Sequence, residues 1–553
     1  MLDVRNLEVS FATRRGNVAA VRGIDLHVDA GETLGIVGES GSGKSVTSYA
    51  VMRLLDPAAT LSATRLNYGG IDLLRASERD MRDLRGREIS MIFQNPRAAL
   101  NPIRTVGQQI SDVLRQHVRA GRSDARSKAI AAMEAVEIRD SAQRFRAYPF
   151  ELSGGMCQRI VIALALACDP RLLIADEPTT GLDITTQKTV MDLIAKVIRQ
   201  RNMGAVLITH DLGLAAEYCD RVMVMKDGRV VEQGVPDKLF QHPVDAYTRK
   251  LVDANPRAGT TVRELLPNES RSPMPCMKGA SQDSLISVDR LGKIFATAGA
   301  PVHAVREVSF SISRGGSLGL VGESGSGKST VSSIIARLAD ASSGTASFAG
   351  ADLFDVPAHR FARDPRRARI QMVFQDATDS LNPRHTARQS LLEPIKRLSS
   401  SGAKEREARV RELADLVGLP HVLLSRFPHQ LSGGQKARVG IARAIAVEPD
   451  LLILDEPTAA LDVSIQAVIL NLLVDLRARL SMTYLFVSHD LQVVRMLCDD
   501  VVVMKAGAVV EQGPVSEVLH TPAHDYTKSL IAAAPKPPAR VESLGATRIS
   551  SHA

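Results

Sequence analysis

A duplicated α/β architecture, with a helical segment inserted into each copy, is what this sequence predicts, and three observations predict it. The first is repetition. GESGSGKS stands at 38–45 and again at 322–329, an offset of 284; Gln94 and Gln375 differ by 281, and the pairs Ser153/Ser432, Asp176/Asp455 and His210/His489 each differ by 279. The second is alternation of short buried-strand patterns with helical ones. TLGIVGES leads into GSGKSVTSYAVMRLL, and RLLIADEP leads into TTQKTVMDLIAKVIRQ and then AVLITHD, with SLGLVGES, LLILDEP and YLFVSHD in the second copy. Such alternation predicts a mainly parallel sheet in each half. The third is the helix-like spacing of 106–146 and 386–426, which reads as a helical subdomain set into each α/β core.

At 553 residues the chain is too long for one core. The repeat divides it into a first domain at 1–255, a linker at 256–284 rich in Pro, Gly and Ser, a second domain at 285–534 and a flexible tail at 535–553. Hydrophobic residues make up 44% and charged residues 24%, as in ordinary globular proteins. The net charge of +8 is spread over 69 basic and 61 acidic residues, which argues for a solvated surface rather than a nucleic-acid groove. Five cysteines with no CxxC pair fit a reduced, cytoplasmic protein. Asp3 and Arg5 interrupt any signal-peptide core, and the longest apolar runs, such as 161–168, fall far short of the ~20 residues that span a bilayer. Work at a membrane would need spans supplied by other subunits.

The repeated octapeptide has the form of a phosphate-binding loop. Gly38, Gly41 and Gly43, interleaved with Glu39, Ser40 and Ser42, let the backbone wrap its amides around phosphate oxygens. Gly322, Glu323, Ser324, Gly325, Ser326 and Gly327 repeat the arrangement. Lys44 and Lys328 would neutralise phosphate charge, and Ser45 and Ser329, the latter followed by Thr330, would offer a hydroxyl to Mg²⁺.

Adjacent carboxylates end the strands LLIADEP and LLILDEP. Neighbouring side chains on a strand face opposite ways, so Asp176 and Asp455 are expected on the metal, and Glu177 and Glu456 on the attacking water. Each pair follows its loop lysine at a similar interval, 132 residues from Lys44 to Asp176 and 127 from Lys328 to Asp455. His210 and His489 each lie 34 residues beyond the aspartate, at another strand end, and are expected to contact the γ-phosphate. The dipeptides His210-Asp211 and His489-Asp490 also occur in metal phosphohydrolases, but no further histidines accompany them at ligand spacing.

LSGGMCQR at 152–159 and LSGGQKAR at 431–438 stand 23 residues before the carboxylate pair in both halves and resemble the signature of ABC ATPases. The resemblance covers both halves, leaving only linker and tail. It implies a P-loop NTPase, RecA-like core with the helical insertion, duplicated in tandem, binding ATP and Mg²⁺. It also implies two composite sites. Lys44, Gln94, Asp176, Glu177 and His210 would face Ser432, Gly433, Gly434 and Gln435; Lys328, Gln375, Asp455, Glu456 and His489 would face Ser153, Gly154, Gly155 and Met156. Gln94 and Gln375 match residues near metal and nucleotide, Asp183 and Asp462 match the aspartate at the dimer seam, and Phe11 and Phe295 match the ring that stacks on adenine.

FQNPRAALNP, FQDATDSLNPR, the Met156 form of the signature, and the closing HPVDAYTRKLV and PAHDYTKSL resemble the peptide, nickel and glutathione importer branch. Both closing segments depart from that branch's HPYT, and its iron–sulfur cysteine cluster is missing, with only Cys276 in the linker. The resemblance implies an ATP-hydrolysing subunit at the cytoplasmic face of the bacterial inner membrane. Its implied partners are two transmembrane permease subunits and a periplasmic or lipid-anchored solute-binding protein, with no nucleic acid and no membrane span of its own. A soluble tandem ATPase acting on ribosomes or DNA, or an exporter ATPase, is the alternative.

Overall fold

In the computed structural model, the described residues are 1–13, 16–118, 121–257, 259–271, 273, 283–296, 301–459 and 461–536. Cys276 and the tail beyond 536 lie outside them. The chain divides into two compact units: Met1–Leu182 with Thr186–Asn255 and residues 535–536, and Asp183–Thr185 with Pro256–Ala534.

The first unit is built on a six-stranded sheet in the order Arg229–Gly234, Arg221–Lys226, Thr33–Val37, Gly204–Thr209, Leu172–Asp176, Ile89–Ile92. All neighbours run parallel except the edge hairpin of 221–226 with 229–234. Thr33–Val37, Leu172–Asp176 and Gly204–Thr209 are buried at every position, which explains their continuous apolar sequences: both faces of the sheet are covered. One core cluster packs Ile36, Ile174 and Ile208 against the helix following the loop strand and against a second, antiparallel sheet. The other packs Val37, Leu173 and Leu207 against the helices of the insertion.

The antiparallel sheet consists of Leu2–Thr13, Gly16–Val28, Ala59–Ser62, Arg65–Tyr68 and Ile71–Asp72. It is absent from the sequence-based expectation of a parallel core with a helical insertion. The insertion is present as Val106–His117, Arg122–Ala135 and Ser141–Arg144, and its first helix opens with Thr105 accepting from Gln108 N at 3.4 Å.

The second unit repeats the plan. Its six-stranded sheet runs Ile370–Val373, Leu451–Asp455, Thr483–Val487, Ser317–Val321, Asp500–Lys505, Ala508–Pro514, with an antiparallel sheet of Ser284–Phe295, Val302–Ser313, Ser343–Phe348 and Ala351–Asp352. Ala387–Leu398 and Ala403–Leu416 form its insertion.

The segment expected as a linker is ordered in part. Val262–Leu265 is a helical turn whose Val262 and Leu265 are buried, and Arg263 donates from Nη1 to Asn471 Oδ1 at 3.0 Å and pairs with Asp475. Asn471 Nδ2 returns a bond to Val262 O at 2.7 Å. These contacts fasten the turn to helix Val463–Leu480, so this part of 256–284 belongs to the second unit. Its short apolar spacing escaped notice among the prolines and glycines.

Candidate functional site

In each unit the chemistry-bearing residues gather at the carboxyl ends of the central parallel strands, where open α/β sheets bind ligands. Strand Thr33–Val37 runs into the loop, and Gly43, at φ 101°, caps helix Lys44–Val51. Gly38 has φ 153°, and a Cβ there would lie 2.3 Å from Met225 O, so the loop closes against the neighbouring strand only because that residue is glycine. Lys44 is buried and folds back on the loop, donating from Nζ to Gly38 O at 2.7 Å and Glu39 O at 2.9 Å. Lys328 does the same, to Gly322 O and Glu323 O, both at 2.7 Å, and burial pulls its ammonium down from the usual lysine range.

Ser45 Oγ donates to Asp176 Oδ1 at 3.0 Å, and Ser329 Oγ to Asp455 Oδ1 at 3.4 Å. Burial pushes both aspartates up to about 6, against the hydroxyl bonds that favour the ionised form. Asp176 Oδ2 is buried and hydrogen-bonded to none of the described residues. A hydroxyl beside such an oxygen suits a hard cation that binds oxygen.

The glutamates turn away from the aspartates. Glu177 and Glu456 have φ 47° and 46°, and their amides donate to Ile208 O and Val487 O, each at 2.9 Å. Gln94 Nε2 donates to Glu177 Oε2 at 2.7 Å, Thr180 Oγ1 reaches the same oxygen at 2.9 Å, and His210 Nδ1 lies 3.4 Å from Oε1. Burial pushes the Glu177 carboxyl up, but bonds from His210, Thr180 and Gln94 outweigh it and hold it at about 2. In the second unit Gln375 Nε2 lies 3.0 Å and His489 Nδ1 3.2 Å from Glu456 Oε2. There too burial is outweighed and the carboxyl lies below its ordinary value. Both histidines are held above theirs: burial opposes the charge, but the glutamates favour it more.

Lysine, serine, glutamine, aspartate, glutamate and histidine are thus brought together in each half. The signature residues stand on a separate element: Ser153 caps helix Gly154–Leu166, and Ser432 caps Gly433–Ala444. Asp183 accepts from Thr185 Oγ1 at 2.7 Å, and Asp462 stands immediately before helix Val463–Leu480. The aromatic pair diverges. Phe11 is partly buried against the core, whereas Phe295 is 43% exposed with Lys293 Nζ 5.1 Å from its ring centroid.

Three contacting residues were not singled out from the sequence. Thr180 is one; Tyr247 and Tyr526 are the others, their hydroxyls accepting from the loop amides of Glu39 at 3.0 Å and Glu323 at 3.2 Å. The tyrosines recur at the same offset of 279 as the aspartates and histidines, the signal that could have found them.

Paired phosphate loops, each backed by a serine–aspartate couple and a glutamate gripped by glutamine and histidine, define a nucleotide-hydrolysing α/β protein with two sites. The family model described as ABC transporter matches residues 21–180 and 305–459, and that described as oligopeptide/dipeptide transporter, C-terminal region, matches 231–279 and 510–551. The peptidoglycan transport ATP-binding protein YejF of Agrobacterium fabrum is 41% identical over 536 residues, 97% of this chain and 96% of the relative. The glutathione import ATP-binding protein GsiA of Salmonella choleraesuis is 40% identical over 560 residues, 97% of this chain and 89% of the relative, and that of Escherichia coli O157:H7 is 40% identical over 559. The chain belongs to the ABC transporter family, as a tandem ATP-binding protein that hydrolyses ATP.

Proposed function

We propose that this ATPase powers the import of peptides or related small solutes across the bacterial inner membrane. The observation that carries the reading is the doubled, intact site set joined to two C-terminal regions of the oligopeptide/dipeptide type. Relatives named for peptidoglycan transport and glutathione import support it. Among the described residues no helix is long and apolar enough to cross a membrane, so the transport path belongs to permease subunits, with a solute-binding protein delivering cargo. In this reading the protein sits peripherally on the cytoplasmic face.

Amides within the loops 38–45 and 322–330, with Lys44 and Lys328, hold the ATP phosphates. Ser45, Asp176 and Gln94, and in the other half Ser329, Asp455 and Gln375, are the residues for Mg²⁺; the buried, unsatisfied Asp176 Oδ2 fits that role. Bound Mg²⁺ supplies charge neutralisation at the phosphates. Glu177 and Glu456 orient the attacking water and accept its proton, and His210 and His489 hold those carboxylates while reaching toward the γ-phosphate. Phe11 and Phe295 stack on adenine. Following the family resemblance, each site is completed by a signature, Ser432 to Gln435 for one and Ser153 to Met156 for the other, with Asp183 and Asp462 along the seam. ATP binding then closes the halves, hydrolysis loosens them, and the Gln94 and Gln375 loops pass the change to the permeases.

Co-purification tests the reading. Two permease subunits and a solute-binding protein, with ATP-dependent uptake of a peptide in reconstituted vesicles, are the expected result; recovery with ribosomes or DNA, or outward pumping, would overturn it.

A further inference from the structure

The carboxyl-terminal part of each cassette reaches back to its own phosphate loop. In the first unit helix Ala246–Asp253 is launched by Asp245, whose carboxylate accepts from Tyr247 N at 2.8 Å, and Glu232 on the edge strand accepts from Val244 N at 2.9 Å and Asp245 N at 3.0 Å. This places Tyr247, only 7% exposed, with its hydroxyl 3.0 Å from the Glu39 amide and its ring 5.0 Å from Lys226 Nζ. The second unit builds the same device at the same offset of 279, with only the cap exchanged. Glu511 accepts from Ala523 N and His524 N, His524 Nδ1 replaces the aspartate cap, and Tyr526 accepts from Glu323 N at 3.2 Å with Lys505 Nζ 4.5 Å from its ring. The tyrosine-to-loop contact is kept although its cap changes from Asp245 to His524.

The peptide units around Glu39 and Glu323 are gripped from two sides. Each amide N–H goes to a tyrosine and each carbonyl to the loop lysine. The tyrosine bond does not depend on the lysine, so an ammonium drawn to bound phosphates would leave the Glu39 or Glu323 amide still held. A loop already held in one conformation loses less conformational freedom when it binds nucleotide.

We propose that Tyr247 and Tyr526 are positioning residues that keep the two phosphate loops in their nucleotide-binding conformation, coupling the C-terminal region of each cassette to ATP affinity. The inference rests on the reading of these loops as ATP sites.

Tyr247→Phe and Tyr526→Phe in the full chain keep the rings and remove only the hydroxyls. Each is expected to raise the Mg–ATP concentration for half-maximal turnover about 5-fold, the worth of one neutral hydrogen bond of about 1 kcal/mol, with kcat unchanged. Hydrogen exchange in nucleotide-free protein should quicken over the substituted unit's loop, 38–45 or 322–329, and not over helix Ala246–Asp253 or Asp525–Ala533. Unchanged half-saturation, a fall in kcat alone, or faster exchange through the helix as well overturns the proposal. Failure of the unsubstituted chain to bind Mg–ATP would instead sink the ATP-site reading beneath it.

Discussion

The two cassettes share the loop lysine, serine, glutamine, aspartate, glutamate and histidine and differ in what surrounds those residues. Thr180 gives Glu177 a hydrogen bond at 2.9 Å; the equivalent position 279 residues on is Ala459, which has no hydroxyl to give. At the signature, Gln435 Oε1 accepts from Ser432 N at 3.0 Å, whereas Met156 has no such oxygen for Ser153. Cys157 occupies the place of Lys436, whose ammonium donates to Thr378 Oγ1 at 3.2 Å. Duplication has preserved the reacting groups while the hydrogen bonds that tune them drifted apart. On the proposed reading both sites hydrolyse ATP, with different settings.

Glu177→Gln and Glu456→Gln break the comparison most strongly. Each removes the group proposed to act on the attacking water, so each should slow its own site about 100-fold or more. If the sites depend on each other, either substitution alone takes total turnover far below half. A single variant with the unsubstituted rate would show that its site contributes nothing, and the symmetry of the two halves would be only structural.

The lead-in to the second unit offers the next largest effect. Arg263 is 6% exposed, and its guanidinium satisfies Asn471 and Asp475 together. Arg263→Ala takes the donor from Asn471 Oδ1 and from Asp475, while Asn471 Nδ2 keeps Val262 O; with Asp475 one-third exposed, water recovers part of the loss. A destabilisation of about 2 kcal/mol is expected, read as a lower denaturant midpoint for the second unit with little change in the first. An unchanged midpoint would mean that the turn at Val262–Leu265 is merely tethered.

Thr180 tests the tuning directly. A third donor stabilises the Glu177 carboxylate, and Ala459 offers Glu456 none, so Glu177 is expected to be the weaker proton acceptor. With the second site silenced by Glu456→Gln, Thr180→Ala should quicken residual hydrolysis about 3- to 5-fold, the kinetic equivalent of about 1 kcal/mol. Slower hydrolysis would mean that Thr180 holds the carboxylate in its working position, and the sense of the asymmetry would reverse.

Much of this site was legible in the sequence, because phosphate loops, strand-end carboxylates and signatures are contiguous strings whose spacing survives duplication. Buried parallel strands such as Leu172–Asp176 and Leu451–Asp455 announce themselves by unbroken apolar runs. The antiparallel sheet did not, since Leu2–Thr13 and Gly16–Val28 have register shifts that blur any two-residue alternation. Contacts across long separations were also hidden. Nothing near Tyr247 in sequence says that its hydroxyl, 208 positions from Glu39, ends beside a loop amide; only the repeat makes it conspicuous. Phe11 and Phe295 show the limit of transfer by position, since matched places in the two halves give one ring partly packed into a core and one largely open.

The smallest expected effect lies at the signature helices. Ser432 and Gln435 cap each other: Ser432 Oγ accepts from Gln435 N at 3.4 Å, and the Gln435 amide oxygen accepts from Ser432 N. Ser153 Oγ accepts from Met156 N at 3.3 Å, but the thioether returns no comparable bond. The reciprocal half of such a box is worth about 0.5 kcal/mol, roughly 2-fold in a local opening equilibrium. Met156→Gln should therefore slow hydrogen exchange over residues 153–157 by about that factor, and Gln435→Met should speed it over 432–436. If both exchanges stay put, the first signature is held equally well by other contacts, and any inequality between the two sites comes from Thr180 and Ala459 instead.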